Sequence, residues 1–207
     1  MSLTQLDLAA LLASRICHDL ISPVAAFSTG LEVLEEETDE DMRRHAFDLL
    51  STSSKQSTAR LEYLRLAFGA AGGLGSELDF DEARRLAEGY FPHLKPDLVW
   101  SAAPGHVTKA ACKIALNLCL IGAESIPRGG EVCVQGDGRV FIVVKASGPR
   151  AKLIDATKAA LDGKDDALDA KSVQPYLVGL LVREAQARLS YHETDENVTI
   201  RVDFASS

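Results

Sequence analysis

The sequence predicts an α+β fold: an antiparallel helical hairpin that pairs with a second copy into a four-helix bundle, followed by an α/β sandwich with a mixed sheet. Three observations predict it. Apolar residues recur at alternating steps of three and four from Leu3 to Leu34, residues 69–75 hold four glycines, and beyond them helical and strand periods alternate. The expected divisions are a hairpin over 1–68, a linker over 69–75 and a sandwich over 76–207.

The first helix follows from an unbroken heptad seam: Leu3, Leu6, Ala10, Ala13, Cys17, Leu20, Val24, Phe27, Leu31 and Leu34. At 1.5 Å per residue it is a rod on the order of 45–50 Å long. The acidic stretch 35–41 ends the pattern, and Thr38 or Asp39 is suited to cap the next helix. A second seam runs Phe47, Leu50, Ser54, Ser57, Leu61, Leu64, Phe68, and Gly69 stops it. Two rods alone are too thin to bury both apolar stripes, so a homodimer through 1–68 is expected.

After the glycine-rich linker the signals predict helices near 80–91 and 106–125, with a strand at 97–101 between them. Strands at 131–135 and 140–145 flank Gly136-Asp137-Gly138. Helices near 151–161 and 173–188 precede two closing strands at 189–192 and 198–204. Such an alternation gives a helix layer on one face of a mixed sheet. Trp100 and Phe141 fit the strand cores.

Composition narrows the function classes. With 207 residues, 46% of them hydrophobic, the chain is globular, and a net charge of −8 with no basic stripe argues against nucleic acid. An electropositive partner is favoured. The longest apolar stretch, Ile114 to Ala123, is interrupted by Asn117 and is too short for a bilayer, and the start lacks the basic residues of a signal peptide. A cytoplasmic protein without membrane contact is expected. Cys17, Cys112, Cys119 and Cys133 form no C-x-x-C pair and read as small reduced hydrophobes, so neither metal nor disulfide is expected.

His18 is the residue that suggests chemistry. It falls about 100° round the helix from Cys17 and so faces solvent. On that face lie Ser14, Arg15, Ser22, Ala25 and Thr29, all small apart from Arg15, which leaves room for another protein to reach the imidazole. Asp19 is placed to fix the tautomer or accept a proton, or is an ordinary solvated acid. Pro23 removes the donor to the Asp19 carbonyl and clashes with it, either loosening the helix beside His18 or making a plain packing kink, at roughly 3 kcal/mol. His45, His93, His106 and His192 lack an acid and proline surround and read as incidental.

The string Ile16-Cys17-His18-Asp19-Leu20-Ile21-Ser22-Pro23 resembles the phosphoacceptor box of two-component histidine kinases, and the order of parts resembles their hairpin followed by a Bergerat-like (GHKL) ATPase sandwich. The nucleotide motifs depart from that pattern. In the stretch resembling the asparagine box, Asn117 to Gly122, Ile121 stands for the second asparagine; in Lys145 to Arg150, Ala146 replaces the adenine-binding aspartate and Arg150 the second glycine. The lid-like stretch 174–181 keeps only Gly179. This combination, with the string Leu118 to Gly130, is similar to the ChpT-type histidine phosphotransferases of alphaproteobacterial phosphorelays. The resemblance implies that His18 takes a phosphoryl group from the receiver aspartate of a hybrid histidine kinase and gives it to a response regulator. It implies no ATP and no cofactor on this chain, with Mg²⁺ carried by the receiver. An autophosphorylating kinase with an atypical nucleotide site and a non-catalytic pseudokinase adaptor remain as alternatives.

Overall fold

The computed structural model describes residues 3–69 and 77–205; apart from Gly69, the expected linker lies outside the described residues. Helix α1 (Gln5–Glu36) starts at a capping box: the Thr4 hydroxyl accepts from the Asp7 N–H at 3.1 Å, and the Asp7 carboxylate accepts from the Thr4 N–H at 3.1 Å. Helix α2 (Glu40–Ala67) is capped by Asp39, which accepts from the Met42 N–H at 3.0 Å, so Asp39 rather than Thr38 fills that role.

Small residues set the face along which the two helices meet. Pro23 and Gly30 of α1 are buried against the hairpin interior, as are Ala46 and Ser53 of α2. A Cβ at Gly30 would meet Leu50 Cγ at 2.8 Å, so glycine there permits the close approach. The heptad seam points elsewhere. Leu6 (79% exposed), Cys17, Val24 and Leu31 on α1, and Phe47 (58% exposed) and Leu61 on α2, are uncovered in the single chain. Cys17, expected as a buried hydrophobe, is therefore exposed. The reason is that bulk did not decide the hairpin face; close approach through glycine, alanine and serine did. With this apolar stripe, α1 is long and apolar enough by length and composition to cross a membrane, although its apolar residues form no uninterrupted run.

The remaining elements build the sandwich. A short ladder pairs β1 (Glu77–Asp79) with β3 (His106–Thr108) antiparallel, so the start of the expected 106–125 helix is a strand, and α4 spans Lys109–Ser125. Between them lie α3 (Phe80–Tyr90), a 3₁₀ turn (Phe91–His93) and β2 (Asp97–Trp100). After α4 come β4 (Glu131–Gly136), β5 (Phe141–Ser147), α5 (Asp155–Leu161), α6 (Val173–Glu184), β6 (Arg188–Glu193) and β7 (Asn197–Asp203). The sheet order is β2-β4-β5-β7-β6; β2 and β4 are parallel and the other pairs antiparallel, a mixed sheet as expected. Residues 151–154 are not helical because their amides are used elsewhere: Lys152 N–H donates to Ser125 O at 3.0 Å and Leu153 N–H to the Glu193 carboxylate at 2.6 Å.

Alternation along the strands puts Val132 and Val134, Ile142 and Val144, and Ile200 and Val202 on one buried face. Against that face lies α4, apolar nearly all round and buried from Ala111 to Ala123, as a central helix must be. The hairpin is fastened to α4 from the end of α2. The wholly buried Tyr63 donates its hydroxyl to Leu116 O at 2.6 Å, and Asn117 Nδ2 donates to Ala67 O at 3.0 Å. Burial of the Tyr63 ring and hydroxyl raises its pKa well above the ordinary tyrosine value, so it remains a donor.

Candidate functional site

The His18 side chain is 67% exposed on α1, and its Nδ1 lies 3.4 Å from Asp19 Oδ1. In the tautomer that donates Nδ1–H to that carboxylate, the Nε2 lone pair is free. Ser14, Ser22, Ala25 and Thr29 are exposed on the same helix.

Arg15 is not part of that open face. Its side chain is 8% exposed; Nε donates to Asp19 Oδ2 at 2.9 Å and a terminal nitrogen to Glu124 Oε1 at 2.6 Å. Sequence reasoning placed Arg15 on the solvated flank because the helix alone leaves it there. The C-terminal end of α4 covers that flank and supplies Glu124. Burial works to lower the Arg15 pKa, but the Glu124 and Asp19 carboxylates outweigh it and hold the guanidinium above its ordinary value. Arg15 is thus a strut between hairpin and sandwich, and it anchors the carboxylate that faces the imidazole.

Pro23 sits inside α1 and is buried. Its ring leaves the Asp19 carbonyl without the N–H of residue 23, and the guanidinium of Arg60 on α2 donates to that carbonyl instead. The Arg60 guanidinium also lies 5.3 Å from the centroid of the Tyr90 ring, which packs on Tyr63 at 4.9 Å. Asp19 is therefore held twice, by Arg15 at its carboxylate and by Arg60 at its backbone. A cleft of about 250 Å³ lies beneath, lined by Arg15, Asp19, Arg60, Tyr90, Leu120 and Pro127 among others. Neither Arg60 nor Glu124 carries a local sequence signal, because each meets the box only through tertiary packing.

The residues at the nucleotide motifs do not fit Mg·ATP. Ile121 and Ala146 are buried, and an added Cβ on Gly122 would touch Val144, Val132 and Ala146. Asn117 is fully buried and gives its amide hydrogens to Ala67 O and Lys113 O, while Gln174 fills the adjoining space and donates to Asn117 O at 3.1 Å. The cavity beside Ile121, lined by Glu124, Ser125, Lys152 and Leu153, measures about 60 Å³, and a wider, open concavity of about 480 Å³ lies beside Arg150, lined by Lys152, Glu193 and Asp195. Arg150 retains the left-handed backbone suited to a glycine, at φ 60°.

Three similarities bear on this arrangement. Residues 80–197 match the family described as histidine phosphotransferase C-terminal domain. The chain is 41% identical over 210 residues to the protein phosphotransferase ChpT of Brucella abortus (strain 2308), covering 98% of each. A solved bacterial phosphotransferase superposes with a TM-score of 0.88 at 37% identity, again over 98% of both chains.

Proposed function

Because the chain belongs to the ChpT-type histidine phosphotransferases, phosphorelay proteins that work with receiver domains, we propose that His18 is the residue that carries the phosphoryl group. The observation that carries this reading is the exposed imidazole with Nδ1 turned to a tethered carboxylate. Nε2 attacks phosphorus of a receiver's aspartyl phosphate, the P–N bond forms as the P–O bond to the aspartate breaks, and that bond's electron pair leaves with the aspartate carboxylate. The ring becomes a phosphorylated imidazolium, and the Asp19 carboxylate at Nδ1 balances its charge. The reverse step delivers the group to the next receiver.

Little more is needed from this chain, since the chemistry is chiefly positioning. The donor is the receiver of a hybrid histidine kinase, the acceptor that of a response regulator, and the receiver supplies Mg²⁺ and the acidic pocket. Ser14, Ser22, Ala25 and Thr29 form the exposed ground beside His18 on which a receiver docks. The sandwich acts as a docking wall and uses no ATP, a reading supported by the buried apolar side chains of Ile121 and Ala146, which offer neither a metal ligand nor an adenine acceptor. The exposed stripe of Leu6, Val24, Leu31, Phe47 and Leu61 supports a homodimer through the hairpins, and a relay between receiver domains fits a protein of the cytoplasm.

The test is a transfer time course from a phosphorylated receiver to wild type, His18→Ala and His18→Gln. Label is expected on wild type alone. Label on either variant at the wild-type rate refutes the assignment.

A further inference from the structure

The proline in the His18 box and an arginine on the neighbouring helix form a complementary pair. Inside a helix, the carbonyl of residue 19 accepts from the N–H of residue 23; here residue 23 is proline and has none. The carbonyl left over belongs to Asp19, the residue whose carboxylate lies 3.4 Å from His18 Nδ1. Arg60 reaches from α2 to that carbonyl. Its guanidinium is itself held over the Tyr90 ring at 5.3 Å, and Tyr90 rests on Tyr63, whose hydroxyl is bonded to α4. The turn of α1 that lacks this backbone bond is thereby tied, through one side chain, to the buried core around α4.

We propose that Arg60 is a positioning residue for phosphoryl transfer: by supplying the donor that Pro23 removes, it fixes the Asp19 backbone and hence the carboxylate that orients His18. This inference rests on the reading of His18 as the phosphoryl carrier. The loss of a donor at one position and its replacement from another helix means that either a backbone N–H at residue 23 or the guanidinium at residue 60 suffices to satisfy Asp19. The consequence is coupling. Arg60 matters when residue 23 is proline and ceases to matter when it can donate.

The experiment is a double-mutant cycle of Arg60→Met and Pro23→Ala, read as the first-order transfer rate from a saturating phosphorylated receiver and as the receiver concentration giving half that rate. Methionine keeps the stem length and removes the donors. With Pro23 present, Arg60→Met is expected to slow transfer roughly tenfold, as loss of one charge-assisted hydrogen bond predicts, with half-saturation changed less than about twofold. In the Pro23→Ala background the same substitution is expected to cost less than about threefold, because the backbone N–H restored at residue 23 now serves Asp19. Arg60→Lys, which keeps a cationic donor, should recover part of the rate. A wild-type rate for Arg60→Met, or an equal loss in both backgrounds, overturns the proposal. So does a loss of receiver affinity alone. His18→Ala is run alongside: label on that variant sinks the His18 reading and the inference with it, whereas an unlabelled His18→Ala beside a fully active Arg60→Met sinks the inference alone.

Discussion

Replacing Arg15 with methionine retains the aliphatic stem between α1 and the sandwich and removes only the guanidinium. Two charge-assisted contacts go: Nε to Asp19 at 2.9 Å and the terminal nitrogen to Glu124 at 2.6 Å. They are not equivalent. The Asp19 side chain is 15% exposed, so water replaces little of what is lost; leaving it without its cation costs about 1.5–3 kcal/mol. Glu124 is 49% exposed and is resolvated, so its arm contributes at most about 1 kcal/mol. The sum is about 2–4 kcal/mol, which for a chain of this size lowers Tm by roughly 5–15 °C. Urea unfolding at fixed protein concentration measures it. Cycles with Asp19→Asn and Glu124→Gln apportion it, and the Arg15–Asp19 coupling should exceed the Arg15–Glu124 coupling. A loss below about 1 kcal/mol, or the reverse order of couplings, refutes the view of Arg15 as a buried strut.

Further outcomes follow from other parts of the molecule. Helices α5 and α6 end in the same motif, with Gly163 at φ 86° in one and Gln186 at φ 52° in the other, and amides bonded back to Ala160 and Ala159 or to Arg183 and Val182. Gln186→Gly should therefore stabilise by about 0.5–1 kcal/mol, and Gly163→Ala should destabilise by at least as much, by denaturant titration. The Asp137 carboxylate accepts from the N–H groups of Arg139 and Val140 at 2.9 and 2.8 Å; partial burial opposes them, but these bonds hold its pKa below the ordinary aspartate value. A carboxylate depressed in the fold stabilises above its unfolded pKa, so the gap of about 1 kcal/mol between wild type and Asp137→Ala at pH 7 should close as pH falls below about 4. Burial pushes the Cys112 thiol up to about 12 and raises Cys119 further, so thiol reagents should leave both unmodified in the native protein. Cys17 lies on the uncovered stripe, and its labelling should be slow in a dimer and accelerate on dilution.

The fold was legible where one period ran long. The two long helices follow from a 3.5-residue repeat and the strands from a period of two, although the seam that marks the helices is not the face on which they meet, and α4 was marked by its long apolar run. What escaped was decided by partners distant in sequence. Nothing near Thr108 announces the three-residue ladder between β1 and β3, and nothing near Arg15 reveals that Glu124, 109 residues on, will bury it. His18 was legible because its exposure is set by its own helix. The support beneath it was half legible: Pro23 told that a carbonyl would lack a donor, but only the packing of α2 names Arg60 as the replacement.

The central claim is that His18 carries the phosphoryl group between receivers. The most direct measurement is peptide mapping by mass spectrometry, at neutral to alkaline pH, of the protein after incubation with a phosphorylated receiver, followed by chase with a second receiver. The account predicts a single phosphorylated peptide with the modification on His18, lost to the second receiver's aspartate during the chase. A stable phosphate on any other residue, or none on His18 while the second receiver still becomes phosphorylated, contradicts it.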